Sequence, residues 1–219
     1  MDKSFYWFLL GGMIAMFLVM WFCSRVYGIA LWKIVATALI LTPAGYFGAK
    51  LMFFIEAGGW DGRSLYGAVF LVPIIMMPTA KLLKIRYGEL MDVCTPAGCV
   101  MFALLKVKCV IDGCCGGRVI GVGNHEFIFP SQKVECAAFV IILVIVIVMI
   151  FKRRYYTQVY PYFMIIYGFV RFFLNLLRET TPWIGPLPAG NFWSIISAAI
   201  GFVILYLVKQ KNCNLSNAE

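Results

Sequence analysis

The chain has 219 residues, of which 63% are apolar and 13% charged, with a mean hydropathy of +0.89. Soluble domains run nearer ~45–50% apolar and ~25% charged, so this composition excludes a soluble fold, a disulfide-stapled secreted module and a disordered tail, and predicts an all-α polytopic membrane protein. The formal charge of +9 is dispersed among apolar runs, which excludes a nucleic-acid partner recognised by one dense basic face and reads as a topology signal with a capacity for anionic headgroups.

A bilayer core takes about 20 apolar residues per helix, and in that window the chain offers seven spans, at roughly 5–23, 31–55, 64–80, 91–111, 136–151, 159–177 and 191–208. The first is expected to remain as a helix, because Asp2 offsets Lys3, and Trp21 and Phe22 precede Cys23 where signal processing requires small residues. Arg25, then Lys81, Lys84 and Arg86, then Lys152, Arg153 and Arg154, and finally Lys209 and Lys211 fall on alternate connections. The positive-inside rule assigns that set to the cytoplasm. The other set holds the scattered Lys3, Arg63, Arg118, Lys133 and Arg178. The N-terminus and the 112–135 connection are therefore expected outside, and the tail at 209–219 inside. The pattern reads as a single membrane domain over 1–219, without internal repeats.

Ionisable residues at membrane depth are expensive and default to functional hypotheses. In chain order, Gly62-Arg63-Ser64-Leu65-Tyr66-Gly67-Ala68 opens span three with small residues that let backbones approach, plus one guanidinium and one phenol. Tyr66 equally suits an interfacial anchor. Lys106 and Lys108 close span four; they point about 200° apart on a helix, so at most one is expected to face the bundle interior, and interfacial snorkelling is the alternative for either. Gly113, Gly116 and Gly117 before Arg118 form either an anion nest or an ordinary turn. The eight cysteines include the adjacent Cys114 and Cys115. No CxxC or HxxxH spacing accompanies them and His125 is the single imidazole, so neither metal nor cofactor is expected.

Glu135 enters span five, where a carboxylate serves either a helix N-terminus or catalysis. In span six, Arg171, Asn175 and Arg178 stand at i, i+4 and i+7 and so share one face, with Tyr167 in register. Snorkelling accounts for Arg178 better than for Arg171, which lies about two turns deeper. Arginine holds phosphate through paired N–H groups and stays charged near neutral pH. A phospholipid phosphate is the anion such a stripe suits.

In their order these features resemble the prolipoprotein diacylglyceryl transferase family, over residues 40 to 205. Gly45 through Leu51 resembles its small-residue segment in span two, with Lys50 where arginine is usual. Gly62 through Ala68 resembles the segment that usually carries His-Gly-Gly, with Tyr66 in place of the histidine. Lys106 through Arg118 resembles the family signature, with Lys106 for arginine and Cys109 for asparagine. Pro130-Ser131-Gln132 with Glu135, and Arg171 with Arg178, resemble later motifs, Asn175 replacing a glutamate.

The resemblance implies a seven-helix enzyme of the bacterial cytoplasmic membrane, working toward the outer leaflet. Its partners would be phosphatidylglycerol and the lipobox segment of a prolipoprotein. The implied reaction moves a diacylglyceryl group to the lipobox cysteine thiol, forming a thioether and releasing glycerol phosphate. Arg171, with Lys106 or Lys108, would act on the phosphate, while Tyr66, Glu135 and Asp92 would be candidates for the thiol's base, with His125 behind them. A positive pocket can also generate thiolate without a dedicated base. Arg63, Gly67, Lys108, Cys109, Gly113, Gly117, Arg118, Asn175 and Arg178 would bind substrate, with Arg118 and the 113–117 turn closing the headgroup pocket. The substituted positions keep open a diverged transferase with another acceptor or headgroup. The same cations also suit a nonenzymatic phospholipid-binding protein, whereas the absence of inverted repeats disfavours a transporter.

Overall fold

A computed structural model describes residues 3–113, 116–122, 125–153, 155–178 and 183–216. Seven helices, α1 (Lys3–Tyr27), α2 (Leu31–Ala57), α3 (Leu65–Leu82), α4 (Tyr87–Asp112), α5 (Ser131–Phe151), α6 (Val159–Leu176) and α7 (Ala189–Ser216), are joined by short turns at one end of the bundle. All seven contain a stretch long and apolar enough to cross a membrane. Several outrun the expected spans. A hydropathy window sees only the apolar part, whereas helix hydrogen bonding continues through polar residues such as Gln132 and Glu135 at the start of α5.

The other end carries an element that a purely helical reading misses. The strand β1 (Val119–Val122) pairs antiparallel with β2 (His125–Ile128), Val122 opposite His125. A second, shorter hairpin, β3 (Trp183–Ile184) with β4 (Leu187–Pro188), leads into α7. In the sequence, the Gly123-Asn124 dipeptide is of the kind that favours a hairpin.

Close backbone approach sets the packing. A Cβ on Gly67 would fall 1.8 Å from the carbonyl oxygen of Gly48, so α2 and α3 meet backbone to backbone. Without a hydrophobic force between helices in lipid, such contacts give dispersion energy that larger side chains would forbid. α6 and α7 pack by the same device at Gly168, against the Ser194 carbonyl and Ala198. Between these pairs runs an aromatic chain, Phe102–Phe139–Tyr167–Phe163, with ring centroids 5.4–5.5 Å apart, and Tyr66 stands 5.3 Å from Tyr167. Side chains such as Ile141, 60% exposed, face outward toward lipid.

Prolines inside α3 leave backbone work for other helices. Pro73 has no N–H, which removes the bond that the Val69 carbonyl would accept. The Tyr160 hydroxyl of α6 donates to that carbonyl at 2.6 Å. At the short-turn end, buried Asp92 of α4 accepts from the Tyr27 hydroxyl at 2.9 Å and from the N–H groups of Thr157 and Val159 at 2.7 and 3.0 Å. It thus satisfies donors at the start of α6 that the helix itself cannot.

Gly67→Val is expected to lower the unfolding midpoint in detergent, through a cost of about 1–3 kcal/mol or more. Gly11→Val, where nothing lies within 4 Å, should leave it unchanged.

Candidate active site

Glu135 lies at the first turns of α5, 2% exposed, and is the hub of the site. Lys106 of α4 forms an ion pair with its Oε2. Arg171 Nη1 of α6 stands 2.5 Å from Oε1, and Arg178 Nη1 stands 3.9 Å from the same oxygen. Arg178 lies just past α6. It is fixed there because the α4–α5 connection is zipped onto that terminus: Arg118 N–H donates to the Leu177 carbonyl at 3.0 Å, and Gly117 pairs with Arg178.

One carboxylate cannot satisfy three cations. Arg171 Nε, Arg178 Nε, both polar atoms of the Asn175 amide and the Tyr167 hydroxyl are buried without a hydrogen-bond partner among the described residues. Natively buried polar groups are nearly always paired, so a cluster of orphans marks a place made for a polar ligand. These four residues line a cavity of about 690 Å³ walled by α1, α2, α3, α4, α6 and the start of α7.

The cavity has two characters. At the hairpin end its lining includes Arg63, Tyr66, Lys106, Lys108, Cys109, Arg171, Asn175 and Arg178. Further along α4 it continues past Phe102 and Met101 to Cys94 and Met91, with Leu41, Val72 and Tyr160 on the facing walls. Between Lys106 and Met91, fifteen residues of α4, the rise is ~22 Å. That exceeds the ~15 Å of one leaflet's share of the hydrocarbon core.

The face predicted for span six is therefore real: Tyr167, Arg171 and Asn175 point into the same space, and Arg178 turns toward Glu135 instead of snorkelling outward. Glu135 makes no cap at the start of α5; its carboxylate is held among cations of other helices. The expectation that at most one of Lys106 and Lys108 faces inward is corrected. Both are buried, at 5% and 8%, and both line the cavity; the Lys108 stem runs one turn along α4 to an ion pair with Asp112, which brings its charge to the cavity's rim. Tyr66 is no interfacial anchor either. It is 3% exposed, with its hydroxyl 2.6 Å from Ser194 Oγ, and because that serine donates to the Gly190 carbonyl at 2.6 Å, Tyr66 is the donor.

Four expected binding residues do not line the cavity. Gly67 serves the α2–α3 contact, and Gly113 closes α4 with φ 65°. A Cβ on Gly117 would fall 2.1 Å from the Phe129 carbonyl oxygen, so its smallness serves chain packing, while the Arg118 side chain is exposed and its backbone ties the connection to α6. Asp92 lies ~21 Å along α4 from Lys106 and caps α6, which removes it from the candidate bases. Cys114 and Cys115 lie outside the described residues, as does the His125 side chain.

Sequence reasoning missed Glu56, Ser64 and Ser194. Glu56 is half-buried at the end of α2, lines the cavity and accepts from Ser64 Oγ at 2.8 Å. Its signal was an acidic residue closing a long apolar run, which a span boundary at 55 left outside the membrane.

The family model of prolipoprotein diacylglyceryl transferases matches residues 49–207, which contain Glu135 and all three of its cations. The chain belongs to the prolipoprotein diacylglyceryl transferase family. A phosphatidylglycerol–prolipoprotein diacylglyceryl transferase of Dehalococcoides mccartyi is 22% identical over 219 residues, covering 88% of this chain and 84% of that protein. One from Ehrlichia ruminantium is 27% identical over 169 residues, covering 69% of this chain and 65% of its own. As a prolipoprotein diacylglyceryl transferase family member with seven apolar helices, the chain is a multi-pass transferase of the bacterial cytoplasmic membrane.

Glu135→Gln would leave Lys106, Arg171 and Arg178 without their counter-charge, and is expected to cost ~3–5 kcal/mol of stability. The check is the unfolding midpoint in detergent. Lys108→Met should stay within ~1 kcal/mol, because its partner Asp112 is 42% exposed and can return to water.

Proposed function

We propose that this protein transfers the diacylglyceryl group of phosphatidylglycerol to the thiol of a lipobox cysteine, forming a thioether and releasing glycerol phosphate. The carrying observation is the cavity itself. A phospholipid has a compact anion joined to long apolar chains, and the cavity joins under-satisfied buried cations to a deep apolar limb.

Charge balance supports the reading. Among the described residues, Arg63, Lys106, Lys108, Arg171 and Arg178 face the carboxylates of Glu56, Asp61, Asp112 and Glu135, leaving one positive charge for a phosphodiester that carries one negative. Arg171 and Arg178 would grip the phosphate through the N–H groups that Glu135 leaves free, with the Asn175 amide beside them. Lys106, already at the cavity wall, would meet the charge that develops as the glycerol carbon–oxygen bond breaks. Donors fixed in advance at that place lower the barrier without reorganising at the moment of reaction. Tyr66, tied to Ser194, would hold the wall beside Arg171.

The whole chain 1–219 would act as one membrane domain, with the hairpin end outside. The opposite end carries Arg25, Lys81, Lys84, Arg86, Lys152 and Arg153, the positive set expected in the cytoplasm. A second reading keeps the donor and changes the acceptor. The Tyr66–Ser194 pair, the Lys106–Glu135 pair and the unpaired Asn175 amide favour it, because Tyr66, Lys106 and Asn175 stand where the family usually carries histidine, arginine and glutamate.

Purified protein mixed with phosphatidylglycerol and a lipobox peptide should yield a diacylglyceryl adduct by mass spectrometry. Arg171→Ala should slow it about 100- to 1000-fold while the protein stays folded. Bound phosphatidylglycerol without adduct, beside an active relative as control, would leave only the second reading or phospholipid binding alone.

A further inference from the structure

We propose that Glu56 is the base that removes the proton from the acceptor thiol in this chain. The assignment rests on the transfer reaction proposed above. A cysteine thiol has a pKa of about 8.5, and the thiolate is the nucleophile, so a base at the cavity accelerates attack near neutral pH.

Among the described residues, the geometry sets aside in turn the other carboxylates at the cavity and on the helices that wall it. Glu135 is held by Lys106 and Arg171 and stands behind them, outside the cavity lining. Asp112 is committed to Lys108, and Asp92 is bonded at the far end of α4. Asp61 is exposed at the rim. Tyr66 donates to Ser194 and so presents no acceptor for a proton in its resting form.

Glu56 differs from all of these. It is half-buried, it lines the cavity, and its Oε1 is oriented by a neutral donor, Ser64 Oγ, instead of being quenched by a cation in contact. Ser64 is itself fixed, its N–H donating to the Ala49 carbonyl at 2.9 Å, so the carboxylate is held against the α2–α3 junction. Facing it are Arg171 from α6 and Tyr66 from α3, with Asp61 and Arg63 in the intervening turn and Lys106 and Lys108 across the cavity on α4. Glu56 and Arg171 line the same cavity, so a thiol there has a proton acceptor and the phosphate grip in one space.

The step balances with no further reagent. The thiol proton passes to the Glu56 carboxylate, and a sulfur electron pair forms the bond to the glycerol carbon. The carbon–oxygen bond breaks with its pair on the phosphate oxygen. Protonated Glu56 then returns its proton to that phosphate or to water.

The test compares wild type, Glu56→Gln and Glu56→Asp as full-length protein in detergent, with phosphatidylglycerol and a lipobox peptide, across pH 6 to 9. Glu56→Gln should lower kcat about 100-fold at pH 7, with the KM for phosphatidylglycerol and lipid retention by native mass spectrometry unchanged. The deficit should shrink as pH rises and solvent ionises the thiol. A lipobox peptide carrying selenocysteine, already ionised at neutral pH, should restore the variant's rate toward wild type. A structural staple would show no such rescue. If Glu56→Gln does not fold, Glu56→Asp carries the test by the same selenocysteine-to-cysteine rate ratio, which should exceed that of wild type.

A Glu56→Gln enzyme within threefold of wild type at every pH, a loss seen only in KM, or a selenocysteine ratio equal to that of wild type overturns the assignment alone. A wild type that forms no adduct overturns the transfer reading, and this assignment with it.

Discussion

One buried carboxylate organises this membrane protein. Glu135 sits where bulk water does not reach, and the charges of Lys106 on α4, Arg171 on α6 and Arg178 just past α6 converge on it. Without it, like charges at close range in a low-dielectric interior would repel one another and bear their full desolvation cost. With it, the three side chains have fixed positions but incomplete coordination, since one carboxylate offers few acceptor sites to so many donors. Stability and readiness for an anion thus come from the same shortage. The carboxylate holds the cations together and leaves them in want of a second acceptor.

The rest of the fold shapes the space in front of that cluster. The α2–α3 pair, closed by Gly48 and Gly67, forms one wall, and the α6–α7 pair, closed at Gly168, forms another. Polar contacts at two depths join the walls, Tyr66 to Ser194 near the cations and Tyr160 to the Val69 carbonyl further in. Val69 and Tyr160 both line the cavity, so the second of these contacts is part of its wall.

How much of this was legible depended on whether a signal was local. The polar stripe of α6 was readable because helical periodicity alone puts Arg171 and Asn175 on one face. The lysines of α4 were misjudged by the same reasoning. Angular position is a property of the Cα, whereas a long stem carries Lys108's charge along the helix to Asp112, and the cavity spans a broad arc of α4. Gly67 and Gly117 stood inside recognisable motifs and were read as binding residues, yet each is small because another backbone passes within contact distance. Such an approach is a tertiary fact. Glu56 gave the opposite error, since its meaning depends on Ser64 across a turn and Arg171 across the bundle, neither of which the apolar run around it announces.

The Val69 carbonyl carries a consequence for how the protein is made. Its acceptor capacity is freed by Pro73 and satisfied by Tyr160, which lies 91 residues later in the chain. At roughly 5–20 residues per second of synthesis, that partner emerges some ~5–20 s after α3. Until then α3 must keep an open backbone carbonyl in the bilayer, where such a group is costly unless water or a neighbouring span serves it. The third span is thus a ward of the sixth, and the bundle becomes fully hydrogen-bonded at this point only when the helix bearing Arg171 has arrived.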